Sequence, residues 1–298
     1  MTNVLELPQQ NKSIVQRLMI NERFNNLFIK RDDFIHPIIS GNKWRKLKYN
    51  LELTESNKCS GILTFGGAFS NHLLAVAYAC KLKKYKSVGI VRGDELNSQS
   101  NSILAYCESL GMQLKFVTRE DYSLRDESEY KQELLSEFPN YWIVPEGGAN
   151  YQGIIGCMEI MKETTNDFDI VCVSQGTTAT SLGILLSIPQ NTKLLVCPAL
   201  KGFDSKQEML NRLLKFGFES EYIQEKLNQV IVLNSDEFGK YGNVTEKLKS
   251  FASEFYSKNE ITLDLTYNAR SVCKMIEFLM EENLEDSKIL YIHTGGFS

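Results

Sequence analysis

Short apolar runs alternate along this chain with longer stretches of helical period. Eight runs read as strands, at 61–65, 87–91, 113–117, 141–144, 170–173, 194–197, 230–233 and 289–292. They are rich in Val, Ile and Leu and lack polar alternation, the pattern of strands covered on both faces. Segments such as 72–82, 102–110, 180–187 and 270–281 place apolar residues at helical spacing. Strand–helix alternation predicts βαβ units, hence an α/β fold with mainly parallel sheets flanked by helices. Right-handed crossovers then gather the loops at the carboxyl ends of strands, where such proteins bind ligands. No Gly/Ser/Pro-rich linker divides the chain, so two lobes, if present, are interleaved.

Composition narrows the classes. Apolar residues make 43% of the 298 positions and charged residues 23%, the balance of a packed enzyme rather than of a disordered chain. A net charge of −4 gives no basic footprint, so neither nucleic acid nor a membrane surface is an expected partner. Residues 1–12 are polar and lack a leader pattern. No apolar run approaches the roughly 18 residues of a membrane span. Seven cysteines, an odd number with no C-x-x-C pair, read as reduced thiols, so a cytoplasmic location is expected. His36, His72 and His293 share no metal-binding spacing, and no metal is expected.

The candidate chemistry sits in the turns. The first is Thr64-Phe65-Gly66-Gly67-Ala68-Phe69-Ser70-Asn71-His72. Its glycines allow close backbone approach and its Ser and Asn start a helix; by itself it is also an ordinary capped turn. The second, Ser174-Gln175-Gly176-Thr177-Thr178-Ala179-Thr180, joins a strand to a helix N-terminus through small residues and hydroxyls. That combination suits an anion, because amide N–H groups and the helix dipole point at it. With no Walker lysine and no G-x-G-x-x-G, a monophosphate fits better than a nucleoside triphosphate or a dinucleotide. The third turn, Pro145-Glu146-Gly147-Gly148-Ala149-Asn150, is either a crossing between lobes or a loop near the ligand.

A lysine is ordinarily a solvated surface residue. Lys43 stands apart because it follows Gly41-Asn42 and opens a short amphipathic helix through Trp44, Leu47 and Leu51. In a cleft at a helix N-terminus, desolvation and the positive dipole end lower an amine's pKa. Both favour the neutral amine that attacks an aldehyde. Its neighbours Arg45, Lys46 and Lys48 are expected to face solvent or brace the lobe.

Together these residues resemble the 1-aminocyclopropane-1-carboxylate deaminase/D-cysteine desulfhydrase family, a branch of the tryptophan-synthase-β-like, fold type II pyridoxal-phosphate enzymes. The resemblance runs from Lys30-Arg31-Asp32-Asp33 to His293-Thr294-Gly295-Gly296. Gly41-Asn42-Lys43-Trp44-Arg45-Lys46-Leu47 is similar to the motif whose lysine binds pyridoxal 5′-phosphate. The resemblance implies a two-lobed fold, with a large lobe of residues 1–53 and 153–298 and a small inserted lobe of 54–152. It further implies a homodimer and a small amino acid as substrate. Lys43, Ser70, Tyr241 and Tyr267 would be catalytic. The cofactor would be held by Asn42, Lys43, Asn71, Gly176, Thr177, Thr178, Ala179, Thr180, Asn268 and Thr294. Asn71 would face its 3′-oxygen, while Ser70 and His72 would face the substrate carboxylate, with Asn71, Tyr241 and Tyr267 also at the substrate.

Two departures bear on the reaction. The deaminase branch carries Glu after the second tyrosine, where Asn268 stands here, and tends to have Leu at position 294, where this chain has Thr294. A carboxylate beside the pyridine nitrogen keeps it protonated and makes the cofactor a strong electron sink. A neutral group makes a weaker sink, which suffices when a good β-leaving group such as thiolate departs. The expected reaction is conversion of D-cysteine to pyruvate, sulfide and ammonia. The alternatives are ring opening of 1-aminocyclopropane-1-carboxylate, dehydration of serine or threonine, and non-catalytic binding of the cofactor or of phosphate.

Overall fold

The structure, a computed structural model, describes residues 6–164, 167–238 and 244–296. Its strands are β1 (Val15–Arg17), β2 (Leu27–Lys30), β3 (Gly61–Gly66), β4 (Lys86–Arg92), β5 (Met112–Val117), β6 (Tyr141–Val144), β7 (Ile170–Gln175), β8 (Lys193–Pro198), β9 (Val230–Val232) and β10 (Ile289–Ile292). The helices are α1 (Asn42–Ser56), α2 (Asn71–Lys83), α3 (Ser102–Ser109), α4 (Arg119–Ser123), α5 (Ser128–Glu137), α6 (Tyr151–Lys162), α7 (Ala179–Ser187), α8 (Ser205–Lys215), α9 (Ser220–Leu227), α10 (Glu246–Asn259) and α11 (Asn268–Glu281). All eight expected strands are present. β1 and β2 escape the sequence pattern because they are short and carry Gln16, Arg17 and Lys30 among few apolar residues.

Two sheets result. One has the order β1-β2-β10-β7-β8-β9, parallel except for β1 against β2. The other has the order β5-β4-β3-β6 and is wholly parallel. The second sheet comes from one continuous stretch, whereas the first draws strands from both sides of it. This is the α/β architecture that the alternation predicts.

Unbroken apolar strands make sense once both faces are covered. Cys172, Leu195 and Tyr291 pack on one side of the first sheet against Leu248 and Phe255 of α10 and Val272 and Leu279 of α11. Their chain neighbours Val171, Val173, Leu194, Val196, Leu290 and Ile292 pack on the other side against α6, α7, α8 and α9. The second sheet repeats the arrangement. Ile62 and Val91 meet α2, while Leu63, Phe65, Val88 and Ile90 meet Leu134 and Phe138. Each such side chain contributes about 1.5–3 kcal/mol by leaving water. The seven cysteines are unpaired and six are buried. Among the described residues, no helix is long and apolar enough to cross a membrane.

A buried ionic cluster joins β2, α1 and the end of α6. Arg45 is fully buried, and it donates to both oxygens of the equally buried Asp32 at 2.6 and 2.8 Å. Its other donors reach Glu163 at 2.9 and 2.8 Å, and buried Lys30 lies 3.2 Å from that carboxylate. Of the two expected alternatives, solvent or bracing, Arg45 takes the second, whereas Lys46 takes neither and is corrected. Arg45 braces, Lys48 pairs with Glu159 at 2.8 Å, and Lys46, only 4% exposed, turns inward.

Candidate active site

A cleft of about 830 Å³ opens between the two sheets, at the ends of β3, β4, β6, β7 and β10. Asn42, Lys43, Lys46, Ser70, Asn71, His72, Gly176, Thr177, Thr180, Tyr267 and Thr294 all line it, so residues far apart in sequence meet on one wall system. Tyr241 lies outside the described residues.

Lys43 occupies the first turn of α1, whose preceding residue, Gly41, has φ +59°. That backbone geometry suits glycine, and a Cβ there would meet the Thr294 carbonyl oxygen at 2.1 Å. The close crossing sets Lys43 beside the strand end that carries Thr294, and the Asn42 amide donates to the Thr294 carbonyl at 3.3 Å. Lys43 is half-buried, and its side-chain amine makes no hydrogen bond or ion pair among the described residues. Burial pushes its ammonium down to about 8, and the neighbouring Lys46 adds to the push.

Opposite stands the turn before α7. Side chains of Ser70, Asn101, Thr118, Asn150, Asp204 and Thr245 cap the starts of α2, α3, α4, α6, α8 and α10, whereas no side chain caps α7, as none caps α1, α5, α9 or α11. The amides that begin an uncapped helix are open to an anion. Lys46 extends to this turn and donates to Thr177 Oγ1 at 3.2 Å. Burial holds its ammonium below the ordinary lysine value. Asn42 Nδ2 donates to Thr180 Oγ1 at 2.9 Å, while Asn42 Oδ1, Thr178 Oγ1 and both polar atoms of the Gln175 side chain are buried without partners. Buried polar atoms are normally satisfied, so this cluster of orphans around an uncapped helix fits a bound polar group. Gly176 matters for packing, since a Cβ there would lie 3.1 Å from the Tyr267 ring. Thr178 and Ala179 stand at the helix start rather than on the cleft wall. The 145–150 turn, ambiguous in sequence, brings Glu146 and Gly147 to the cleft and caps α6 through Asn150.

The α2 turn differs from expectation in one respect. Ser70 Oγ accepts from the Leu73 amide at 3.3 Å, leaving its proton free for a ligand. Asn71 is half-buried on the cleft wall, and its side chain makes no hydrogen bond among the described residues. His72 is buried, and burial pushes its pKa down to about 3, so the ring is neutral. Thr64 Oγ1 donates its one proton to the Val144 carbonyl at 2.8 Å and must accept from His72 Nε2 at 3.0 Å. His72 therefore spends its N–H inside the protein and offers none to a carboxylate.

Asn268 requires a second correction. It is fully buried and lies behind the cleft wall. Its Nδ2 donates to Asp264 at 2.5 Å and to the Gly295 carbonyl at 2.9 Å, and its Oδ1 accepts from Tyr291 OH at 2.8 Å and the Thr294 amide at 3.3 Å. With both ends of the amide committed, Asn268 holds the Thr294–Gly295 segment. The polar groups that reach the cleft there are the hydroxyls of Thr294 and Ser174, 3.0 Å apart.

Sequence reasoning missed Lys46 and, though Ser174 and Gln175 open the turn it marked for an anion, gave neither a role. A signal existed for Lys46, because residues three apart share a helix face and Lys43 was already assigned to the cleft.

Residues 11–207 match the model of a family described as pyridoxal-phosphate dependent enzyme. Over 91% of its length, the chain is 29% identical to a bifunctional D-cysteine desulfhydrase/1-aminocyclopropane-1-carboxylate deaminase of Arabidopsis thaliana, covering 72% of that protein. It is 24% identical to a D-cysteine desulfhydrase of Serratia proteamaculans, over 91% of this chain and 86% of that one. A solved 1-aminocyclopropane-1-carboxylate deaminase homologue superposes on 99% of this chain and 92% of its own, with TM-score 0.77 and 22% identity, a likeness of fold.

Proposed function

Because the chain belongs to the family of pyridoxal-phosphate-dependent enzymes, we propose that this cleft performs β-elimination on a small amino acid. D-cysteine is the proposed substrate, and pyruvate, sulfide and ammonia are the products. The observation that carries the reading is one cleft that sets an unpaired, half-buried Lys43 amine near an uncapped helix N-terminus whose leading turn is reached by Lys46 of α1.

Bound pyridoxal phosphate supplies a sink for the electron pair left on the substrate α-carbon. Its phosphate is held by the amides and hydroxyls of Gly176–Thr180 together with Lys46. Asn42, Asn71 and Thr294 line the rest of its seat. Lys43 would be the residue that holds the cofactor covalently, and its amine, with its pKa depressed to about 8, would take the α-proton. Tyr267, at the cleft wall against Gly176, and Tyr241 are the further proton-handling groups. Ser70 and the N-terminus of α2 receive the substrate carboxylate.

Elimination is favoured over ring opening because the cleft-lining groups beside Ser174 and Thr294 are hydroxyls. The acids on the described wall, Glu95 and Glu146, are each bound to an arginine at the mouth. We further propose that 54–152 forms an inserted lobe and that 1–53 with 153–298 forms the large one, a division supported by the origin of the two sheets. The protein is proposed, by family resemblance, to act as a cytoplasmic homodimer.

The test is product formation by the holoenzyme with D-cysteine and with 1-aminocyclopropane-1-carboxylate in parallel. Sulfide and pyruvate without 2-oxobutanoate is the expected result; 2-oxobutanoate instead would reverse the choice of reaction. A second measurement concerns the phosphate. Lys46→Met is expected to weaken binding of pyridoxal phosphate by roughly 10- to 100-fold, the worth of a hydrogen bond to a charged group. Pyridoxal, which lacks the phosphate, should bind the variant and the parent within a few-fold of each other. Equal losses for both compounds in a fluorescence titration would remove Lys46 from the phosphate site.

A further inference from the structure

The mouth of the cleft holds more positive charge than the cofactor and an α-carboxylate account for. Arg119 donates to Glu95 at 2.5 and 3.1 Å, with Asp94 also near it. Arg125 pairs with Glu146 at 2.9 Å and donates to the Tyr122 carbonyl at 3.2 Å. Arg92, at the carboxyl end of β4, lines the same wall and has no carboxylate partner among the described residues. Its guanidinium carbon lies 5.8 Å from the centre of the Tyr122 ring, which also faces Arg125 at 5.1 Å. Tyr122 is only 2% exposed and so makes a fixed platform. Arg92 Nη2 lies 3.6 Å from where a Cβ on Gly67 would stand, over the turn that leads to Ser70. The unpaired guanidinium thus borders the place proposed for the substrate.

We propose that the cleft selects amino acids with a second acidic group on the β-carbon, a sulfonate or phosphate, and that Arg92 reads that group. This rests on the reading of the cleft as a β-elimination site and, within that reading, places the acidic compounds ahead of D-cysteine. A planar guanidinium matches two oxygens of an oxyanion at once, and a charge at a cleft mouth also draws anions inward. A thiol or hydroxyl substituent leaves Arg92 with only water. The chemistry balances without an oxidant. For cysteate, the α-proton goes to a protein base, the C–S bond breaks with its electron pair on sulfur, and sulfite leaves. Hydrolysis of the remaining enamine gives pyruvate and ammonia. O-phosphoserine gives phosphate in the same way.

The experiment compares cysteate with cysteine and O-phosphoserine with serine, each as both enantiomers, on the parent holoenzyme and on Arg92→Gln. Pyruvate release reports kcat/KM, and calorimetry reports affinity independently of turnover. The parent should favour at least one anionic compound over its neutral counterpart by tenfold or more. Arg92→Gln should lower kcat/KM and affinity for that compound by roughly 10- to 100-fold, a loss at least ten times that for the neutral one. Equal losses would make Arg92 a reader of the α-carboxylate and overturn the proposal, as would no loss or no anionic preference. If no compound is eliminated, the lyase reading fails by itself, and the calorimetric difference between parent and Arg92→Gln still decides the role of Arg92.

Discussion

Lys43→Ala is expected to abolish turnover, by about 10³-fold or more, because positioned proton transfer alone supplies roughly 10²–10⁴-fold and the covalent bond to the cofactor is lost as well. The variant should bind pyridoxal phosphate without the visible absorbance of the covalent complex, and reduction with borohydride should leave no tagged peptide. The fold should persist. The Lys43 pKa of about 8 lies below that of a free lysine, so the native state disfavours the charged amine. That cost is fully present below about pH 8, fades as pH rises toward the unfolded value near 10.4, and disappears on substitution. An unchanged or higher Tm at pH 7 is therefore the companion result. The same shift predicts how the apoprotein captures the aldehyde. At pH 7 about a tenth of Lys43 is neutral, against roughly 0.04% of an ordinary lysine. The capture rate should rise with pH and level off just above 8. A rate still climbing through pH 10 would show an unperturbed amine, and near-parental activity in Lys43→Ala would place the chemistry elsewhere.

Arg45→Met is expected to cost about 3–5 kcal/mol of stability, the usual result of removing one partner from a buried ion pair. Asp32 would keep only the Ser13 hydroxyl, at 2.5 Å, as a side-chain donor, and Glu163 would keep Lys30. With an m-value of about 3 kcal/mol/M, the urea midpoint should fall by roughly 1 M. Arg45→Lys should recover little of this, since one ammonium cannot replace a fork that reaches both oxygens of each carboxylate. An exposed pair offers the contrast. Lys258 and Glu254 are 2.7 Å apart but solvated, and Lys258→Ala should change stability by less than about 0.5 kcal/mol. Similar effects at the two sites would mean that the Arg45 cluster is wet and loosely held.

Much of the framework was legible before any coordinates. Runs such as 170–173 and 289–292 are apolar at every position because alternate residues feed two different cores, and that demand is written locally. The glycine turns and the start of α1 were readable for the same reason, since caps and positive-φ positions constrain neighbouring residues. The family motifs singled out Lys43 and the 176–180 turn as candidates.

Side-chain destinations were another matter. Arg45, Lys46 and Lys48 look alike in sequence, yet one is locked to Asp32, one enters the cleft and one pairs on the surface. Asp32 is near Arg45 in sequence, but Glu163, Thr177 and Glu159, the other partners, come from segments more than a hundred residues away. His72 and Asn268 sat in the right motifs, but the N–H of the first is spent on Thr64 and both ends of the second's amide hold other protein groups. Arg92 became a candidate only when the neighbouring arginines were seen to be paired. The sequence by itself determined the α/β alternation, the lysine-bearing helix start and the small-residue strand-to-helix turn at 174–180, because these follow from local propensity, capping and backbone freedom. Only the tertiary structure decided which charges are buried, which hydrogen bonds are already used and which groups remain open to a ligand, because those depend on what distant segments bring to the same few cubic ångströms.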